Sequence, residues 1–170
     1  TDLKGELPGE ALPFMLKENG RLRNIVLIGM PGCGKSTIGT QLSRRYSMRF
    51  IDGDQLIEQE MHMKLTEIQH TLGQEAFRAI ENRVLAAIEC KNSVIAPGGS
   101  CIYGQDAMRH LKSIGSIVYL NASLSCIKNR IWNFQQRGIT LLPGQTLEDL
   151  YLERTPLYRS WADLVIDTDD

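Results

Sequence analysis

The stretch GMPGCGKST, from Gly29 to Thr37, decides how the chain is read. It follows Asn24-Ile25-Val26-Leu27-Ile28, a short apolar run rich in β-branched residues, and leads into Ile38, Leu42 and Tyr46, spaced i, i+4, i+8. That order is strand, loop, helix. The loop fits G-x-x-x-x-G-K-[ST] in the context that this pattern requires. Gly29, Gly32 and Gly34 permit backbone conformations closed to other residues, so successive N–H groups turn inward around phosphate oxygens. The helix behind the loop aims its positive end at the same anion. Lys35 reaches the β- and γ-phosphates, and the Ser36 hydroxyl ligates Mg²⁺. A flexible Gly/Pro turn is the competing reading, and the flanking strand and helix decide against it.

At 170 residues the chain suits one domain with a full core and is short for two. Its 42% hydrophobic and 23% charged residues place it among ordinary soluble globular domains. A net charge of −1 exerts no general pull on nucleic acid or anionic lipid. The expected partner is therefore a small molecule, with neither nucleic acid nor membrane involved, and the expected state is a monomer. No apolar run approaches the length of a membrane span and no leader pattern opens the chain, so a cytoplasmic protein is expected. Cys33, Cys90, Cys101 and Cys126 lack C-x-x-C spacing and read as thiols of a reducing compartment. Cys33, in the loop at a helix N-terminus, is expected to be acidified and open to oxidation. His62, His70 and His110 show no paired ligand spacing, and no metal is assigned to them.

Residues 1–23 form an N-terminal extension in which Pro8, Gly9 and Pro13 precede the apolar Phe14-Met15-Leu16. A docking arm, one loose helical turn or a tail without function all fit, and no chemistry is placed there. Residues 24–170 then read as one domain. A second strand covers Arg49–Asp52, and "GDQLIEQEM" starts a helix. A longer helix buries Phe77, Ile80, Val84, Leu85 and Ile88. Strands at Ser93–Ala96, Ser116–Leu120 and Leu164–Asp167 alternate with helices over Asp106–Lys112, through Ile127 and Ile131, and over Thr146–Tyr158. Five apolar strands alternating with helices predict an α/β fold with a parallel sheet covered on both faces. Ligands then bind beyond the carboxyl ends of the strands.

Further polar groups fall at those ends. Asp52 and Asp54, in "FIDGD", can face the phosphate loop, one holding the metal and the other orienting a hydroxyl and accepting its proton. The same Asp-Gly-Asp also reads as a turn with a helix cap. Gly98 and Gly99 offer backbone unobstructed by side chains. Arg78 is placed on the solvent side of the long helix and Arg154 near the end of the late one. An isolated helix arginine is more often a solvated charge than a ligand clamp.

In order along the chain, "IVLIGMPGCGKSTIG", "FIDGDQLIE", "TLGQEAFRAIENRVL", "VIAPGGS", "LKSIGSIVYL" and "ERTPLYRSWADLVID" resemble the shikimate kinases, P-loop enzymes that phosphorylate the 3-hydroxyl of shikimate with ATP. The resemblance implies a three-layer fold with sheet order 2-3-1-4-5, a substrate-binding subdomain at about 53–90 and a mobile lid at about 135–146. It implies that Gly32, Cys33, Gly34, Lys35, Ser36 and Thr37 hold ATP, with Ser36 and Asp52 on Mg²⁺. Asp54 becomes the candidate base and binds the ring hydroxyls. Arg78 and Arg154 clamp the substrate carboxylate, a task suited to guanidinium forks. Gly98 and Gly99 lie against the substrate, and Arg130 matches the arginine that stacks on adenine.

Two segments depart from the family. Its lid usually reads Arg-Pro-Leu-Leu, whereas Ile139-Thr140 precede Leu141-Leu142 here, which leaves Arg137, two residues earlier, to supply the lid cation. The usual Thr-Gly-Gly-Gly loop reads Pro97-Gly98-Gly99-Ser100, losing a donor and gaining a hydroxyl. These changes keep two other readings open beside shikimate: a kinase for another polyol acid such as gluconate, and a nucleotide-binding protein without turnover. A nucleoside monophosphate kinase is disfavoured, because this chain lacks the extra arginines expected around a second nucleotide.

Overall fold

The computed structural model of the chain describes residues 17–18, 21–131 and 144–168, with side chains from Arg23 onward. Phe14-Met15-Leu16, Arg137 and most of the expected lid lie outside the described residues. Five strands, β1 (Asn24–Ile28), β2 (Arg49–Asp52), β3 (Ser93–Ala96), β4 (Gly115–Asn121) and β5 (Leu164–Asp167), form a parallel sheet in the order β2-β3-β1-β4-β5. This is the predicted order. All of β1 from Asn24 to Ile28 is buried, as a central strand covered on both faces requires. At its start the Asn24 side chain accepts from the Ser93 N–H (2.9 Å) and donates to the carbonyls of Cys90 and Ile114 (both 3.0 Å). One buried amide thus joins the entries of β1, β3 and β4 and leaves their far ends to the loops. Ahead of β1, Lys17–Glu18 and Arg21–Leu22 pair as a short antiparallel ribbon that the sequence pattern does not predict.

The helices are α1 (Lys35–Arg45), α2 (Gly53–Met61), α3 (Leu65–Ala86), α4 (Gln105–Ile114), α5 (Leu124–Arg130) and α6 (Leu147–Trp161). None of them is long and apolar enough to cross a membrane. Local chemistry sets their starts: Ser123 caps α5, and a Thr146–Asp149 capping box opens α6. Gly73, at φ 86° and ψ 170°, breaks α3 into two segments. Ile57, Ile68, Phe77 and Val84 of α2 and α3 form a small apolar cluster apart from the core under the sheet. Two residues of α3 depart from the predicted face. Ile80 is half-buried, and Glu81 is turned inward in line with Phe77, Val84 and Leu85.

Candidate active site

The loop after β1 leads into an unusually open helix start. Gly32 and Gly34 lie at φ 81° and 104°, in the left-handed region that favours glycine. Gly34 caps α1 without any side-chain hydrogen bond, and the first turn holds no acidic residue. No side chain of this turn competes for its backbone donors or opposes its dipole, as a site for an anion requires. Gly32, Gly34, Lys35, Ser36 and Thr37 line one end of a cavity of about 550 Å³. The Lys35 ammonium donates to the carbonyls of Gly29 (2.7 Å) and Met30 (3.1 Å) across the loop. Cys33 departs from expectation. Only 1% exposed, it does not line the cavity, so its thiol packs inside the loop and is shielded from oxidants.

Asp52 ends β2 and lines the same cavity. The cap reading of Asp-Gly-Asp holds, and it leaves room for the other. Asp52 Oδ1 caps α2 by accepting from the N–H groups of Asp54 (2.9 Å) and Gln55 (3.4 Å), which leaves Oδ2 for another ligand. Asp54, one turn into the wall, has its carboxyl raised from 3.8 to about 6, first by burial and then by the charge of Asp52, against the pull of Lys35. Its carboxyl is thus more basic than an ordinary carboxylate.

Glu81 is the site residue that the sequence pattern does not single out. It is 2% exposed and lines the cavity beside Asp54 and Arg154. The hydroxyl that Ser100 adds to the loop donates to Glu81 Oε1 at 2.6 Å. Glu81 Oε2 has no hydrogen-bond partner among the described residues. A Cβ on Gly98 would lie 2.6 Å from Asp54 Oδ1 and 3.0 Å from Glu81 Oε2, so only glycine admits both carboxyls. Burial, and secondarily the Asp54 charge, raise the Glu81 carboxyl from 4.5 to about 7, while Ser100, Arg154 and Arg78 oppose the rise. A carboxyl whose affinity for protons rises on folding costs stability as pH climbs from the unfolded value to the folded one. The cost is absent below about 4.5 and complete above about 7. At roughly 1.4 kcal/mol per tenfold change in proton affinity, it reaches about 3 kcal/mol. Glu81→Gln is therefore expected to gain stability relative to the parent between pH 5 and pH 8 in denaturant titrations. A parallel pH dependence of the two proteins contradicts a buried, proton-hungry Glu81.

Arg154 sits in the middle of α6 rather than near its end, on the buried face with Leu147, Leu150 and Tyr158. Four residues on, the fully buried Tyr158 stacks on Tyr119 of β4 and donates to the Gly99 carbonyl at 2.6 Å. This presses the helix onto the glycine loop and brings Arg154 to the cavity wall. Arg154 is 2% exposed, and its Nε has no partner among the described residues. A buried guanidinium with an unanswered donor suits an anion from outside the chain. Arg78 is half-buried rather than solvated, with its guanidinium carbon 3.9 Å from the centre of the Tyr103 ring. It does not itself line the cavity. Arg130, the last residue of α5, does, and it donates to the carbonyls of Gly32 and Thr168 (both 3.1 Å).

The donor set fits a magnesium nucleotide. Uncapped amides and Lys35 suit phosphates, and Ser36 and Asp52 present hard oxygens to one cavity. No group of three acidic, cysteine or histidine side chains among the described residues makes a closed metal cage. Mg²⁺ needs none, since phosphate oxygens and water complete its shell. The sheet order and the loop at its carboxyl edge define a P-loop kinase domain. A family model described as shikimate kinase matches residues 31–170. A shikimate kinase from Francisella tularensis subsp. novicida (strain U112) is 40% identical over 152 residues, 87% of this chain and 86% of the relative. The solved structure of a shikimate kinase from Acinetobacter baumannii in complex with shikimate is similar at a TM-score of 0.79 and 32% identity, covering 88% of this chain and 85% of that one. A shikimate kinase from Bacteroides thetaiotaomicron follows at 0.72 and 27%, covering 87% and 88%. The chain belongs to the shikimate kinase family.

Proposed function

We propose that this chain transfers the γ-phosphoryl group of ATP to the 3-hydroxyl of shikimate, giving shikimate 3-phosphate and ADP. One observation carries the reading: a single cavity joins a phosphate loop to a buried arginine with an unanswered donor, and Asp54 lies on the wall they share. The loop amides and Lys35 hold the phosphates, while Arg154 and Arg78 hold the carboxylate of the acid. α2 and α3 act as the acid-binding subdomain. Asp54 orients the hydroxyl and takes its proton as the oxygen bonds to phosphorus, and the β,γ-bridging oxygen leaves with its electrons on ADP. Ser36 and Asp52 would hold Mg²⁺, which supplies charge neutralisation at the phosphates. Arg130 stacks on the adenine ring, and Arg137 supplies the lid cation.

ADP release from Mg-ATP, with shikimate, gluconate and quinate offered separately beside a control without acceptor, tests this reading. Turnover confined to shikimate is the expected result. Turnover confined to gluconate or quinate, or none with any acid, overturns it.

The clamp itself gives a sharper expectation. Arg154→Ala should raise KM for shikimate about 100-fold, the range for losing a buried charged partner, and leave KM for ATP nearly unchanged. Equal losses for both substrates would mean that Arg154 only supports the fold.

A further inference from the structure

The β3 loop continues into a short 3₁₀ turn, Cys101–Tyr103, whose last residue stands between the helices that supply the two clamp arginines. The guanidinium carbon of Arg78, from α3, lies 3.9 Å from the Tyr103 ring centre, and that of Arg154, from α6, lies 5.6 Å from it. The Tyr103 hydroxyl donates to Glu153 Oε2 at 2.6 Å. Among the described residues Arg78 has no hydrogen-bond or ion-pair partner, and its contact is with the ring face.

We propose that Tyr103 is a positioning residue for the acid clamp, its ring gathering both guanidiniums so that they address one carboxylate together. This rests on the carboxylate-clamp reading above. Two like charges brought close, one buried and one half-buried, repel each other, and the negative face of an aromatic ring offsets that repulsion. A ring contact also fixes a guanidinium while using none of its N–H donors, so the donors of Arg78 stay available to a carboxylate. A carboxylate partner would hold Arg78 equally well but would consume those donors. The bond to Glu153 fixes the ring, and because its acceptor is charged it enriches the ring in electrons. Arg154 lines the cavity and Arg78 does not; the Tyr103 ring is the contact they share.

The test compares Tyr103→Leu, Tyr103→Phe and a variant with pentafluorophenylalanine at position 103, which keeps the ring's shape and removes its negative face. Each is assayed for KM of shikimate, KM of ATP and kcat, and for the preference of kcat/KM for shikimate over its uncharged methyl ester. Tyr103→Leu and the fluorinated variant should raise KM for shikimate about tenfold, the scale of a desolvated cation–π contact. Their preference for acid over ester should fall by a similar factor, with KM for ATP unchanged. Tyr103→Phe keeps the ring face and loses the hydroxyl's contacts with Glu153 and Arg154, so its KM for shikimate should fall between those of the parent and the fluorinated variant. A fluorinated variant that behaves like Tyr103→Phe overturns the proposal, because shape alone would then suffice; this holds even if Tyr103→Leu fails to fold. Arg78→Ala separates the two levels. If it leaves KM for shikimate unchanged, the clamp reading fails and this proposal with it. If it raises KM while the fluorinated variant does not, only the role of Tyr103 falls.

Discussion

Lys35→Ala is expected to lower kcat about a thousandfold or more in a protein that remains folded. Removing one preorganised donor from developing oxyanion charge costs about 10²–10³ in rate, and a loop lysine touches both the breaking bridge and the transferred group. A thousandfold loss corresponds to about 4 kcal/mol of transition-state stabilisation. In this structure the ammonium spans the loop between the Gly29 and Met30 carbonyls. Part of any effect could therefore come from a loosened loop. Nucleotide binding measured beside kcat separates the two: the dissociation constant for ATP should change far less than the rate. A kcat within tenfold of the parent would show that Lys35 does not act on the transferred phosphoryl group.

The second large effect is expected from Asp54→Asn. The amide keeps the shape and the hydrogen-bonding reach and removes the capacity to accept a proton, so kcat should fall about 10²–10⁴-fold. KM for shikimate should move much less. Stability should hold or rise, because burial and the neighbouring Asp52 disfavour the Asp54 charge in the folded protein. A kcat within threefold of the parent would leave Asp54 as a binding group only and move the proton to water.

The strands were legible because their signal is local. β1, β2, β3 and β5 coincide with the apolar runs, and β4 is one residue longer at each end. The phosphate loop was legible for the same reason, since its glycines, lysine and serine are contiguous and their flanks confirm them. Glu81 was not. A helical period read through apolar letters passes from Phe77 to Ile80 and Val84, whereas the face that turns inward is Phe77, Glu81, Val84 and Leu85. The available signal was an acidic residue exactly in phase with buried neighbours. Its partner Ser100 stands nineteen positions away on another element, which no local pattern connects. Arg78 was placed in solvent for a related reason: the ring that covers it belongs to Tyr103, beyond β3. Cys33 shows the opposite failure. Its place in the loop suggested an exposed thiol, but the turn that aims the amides outward buries the side chain.

Phosphorus NMR of Mg-ATP with shikimate and catalytic protein tests the central claim most directly. One new phosphate monoester resonance, growing in step with ADP, coupled to the proton at C3 of the ring and absent when shikimate is omitted, is the predicted result. Inorganic phosphate in place of the ester, or no consumption of ATP at all, would contradict it.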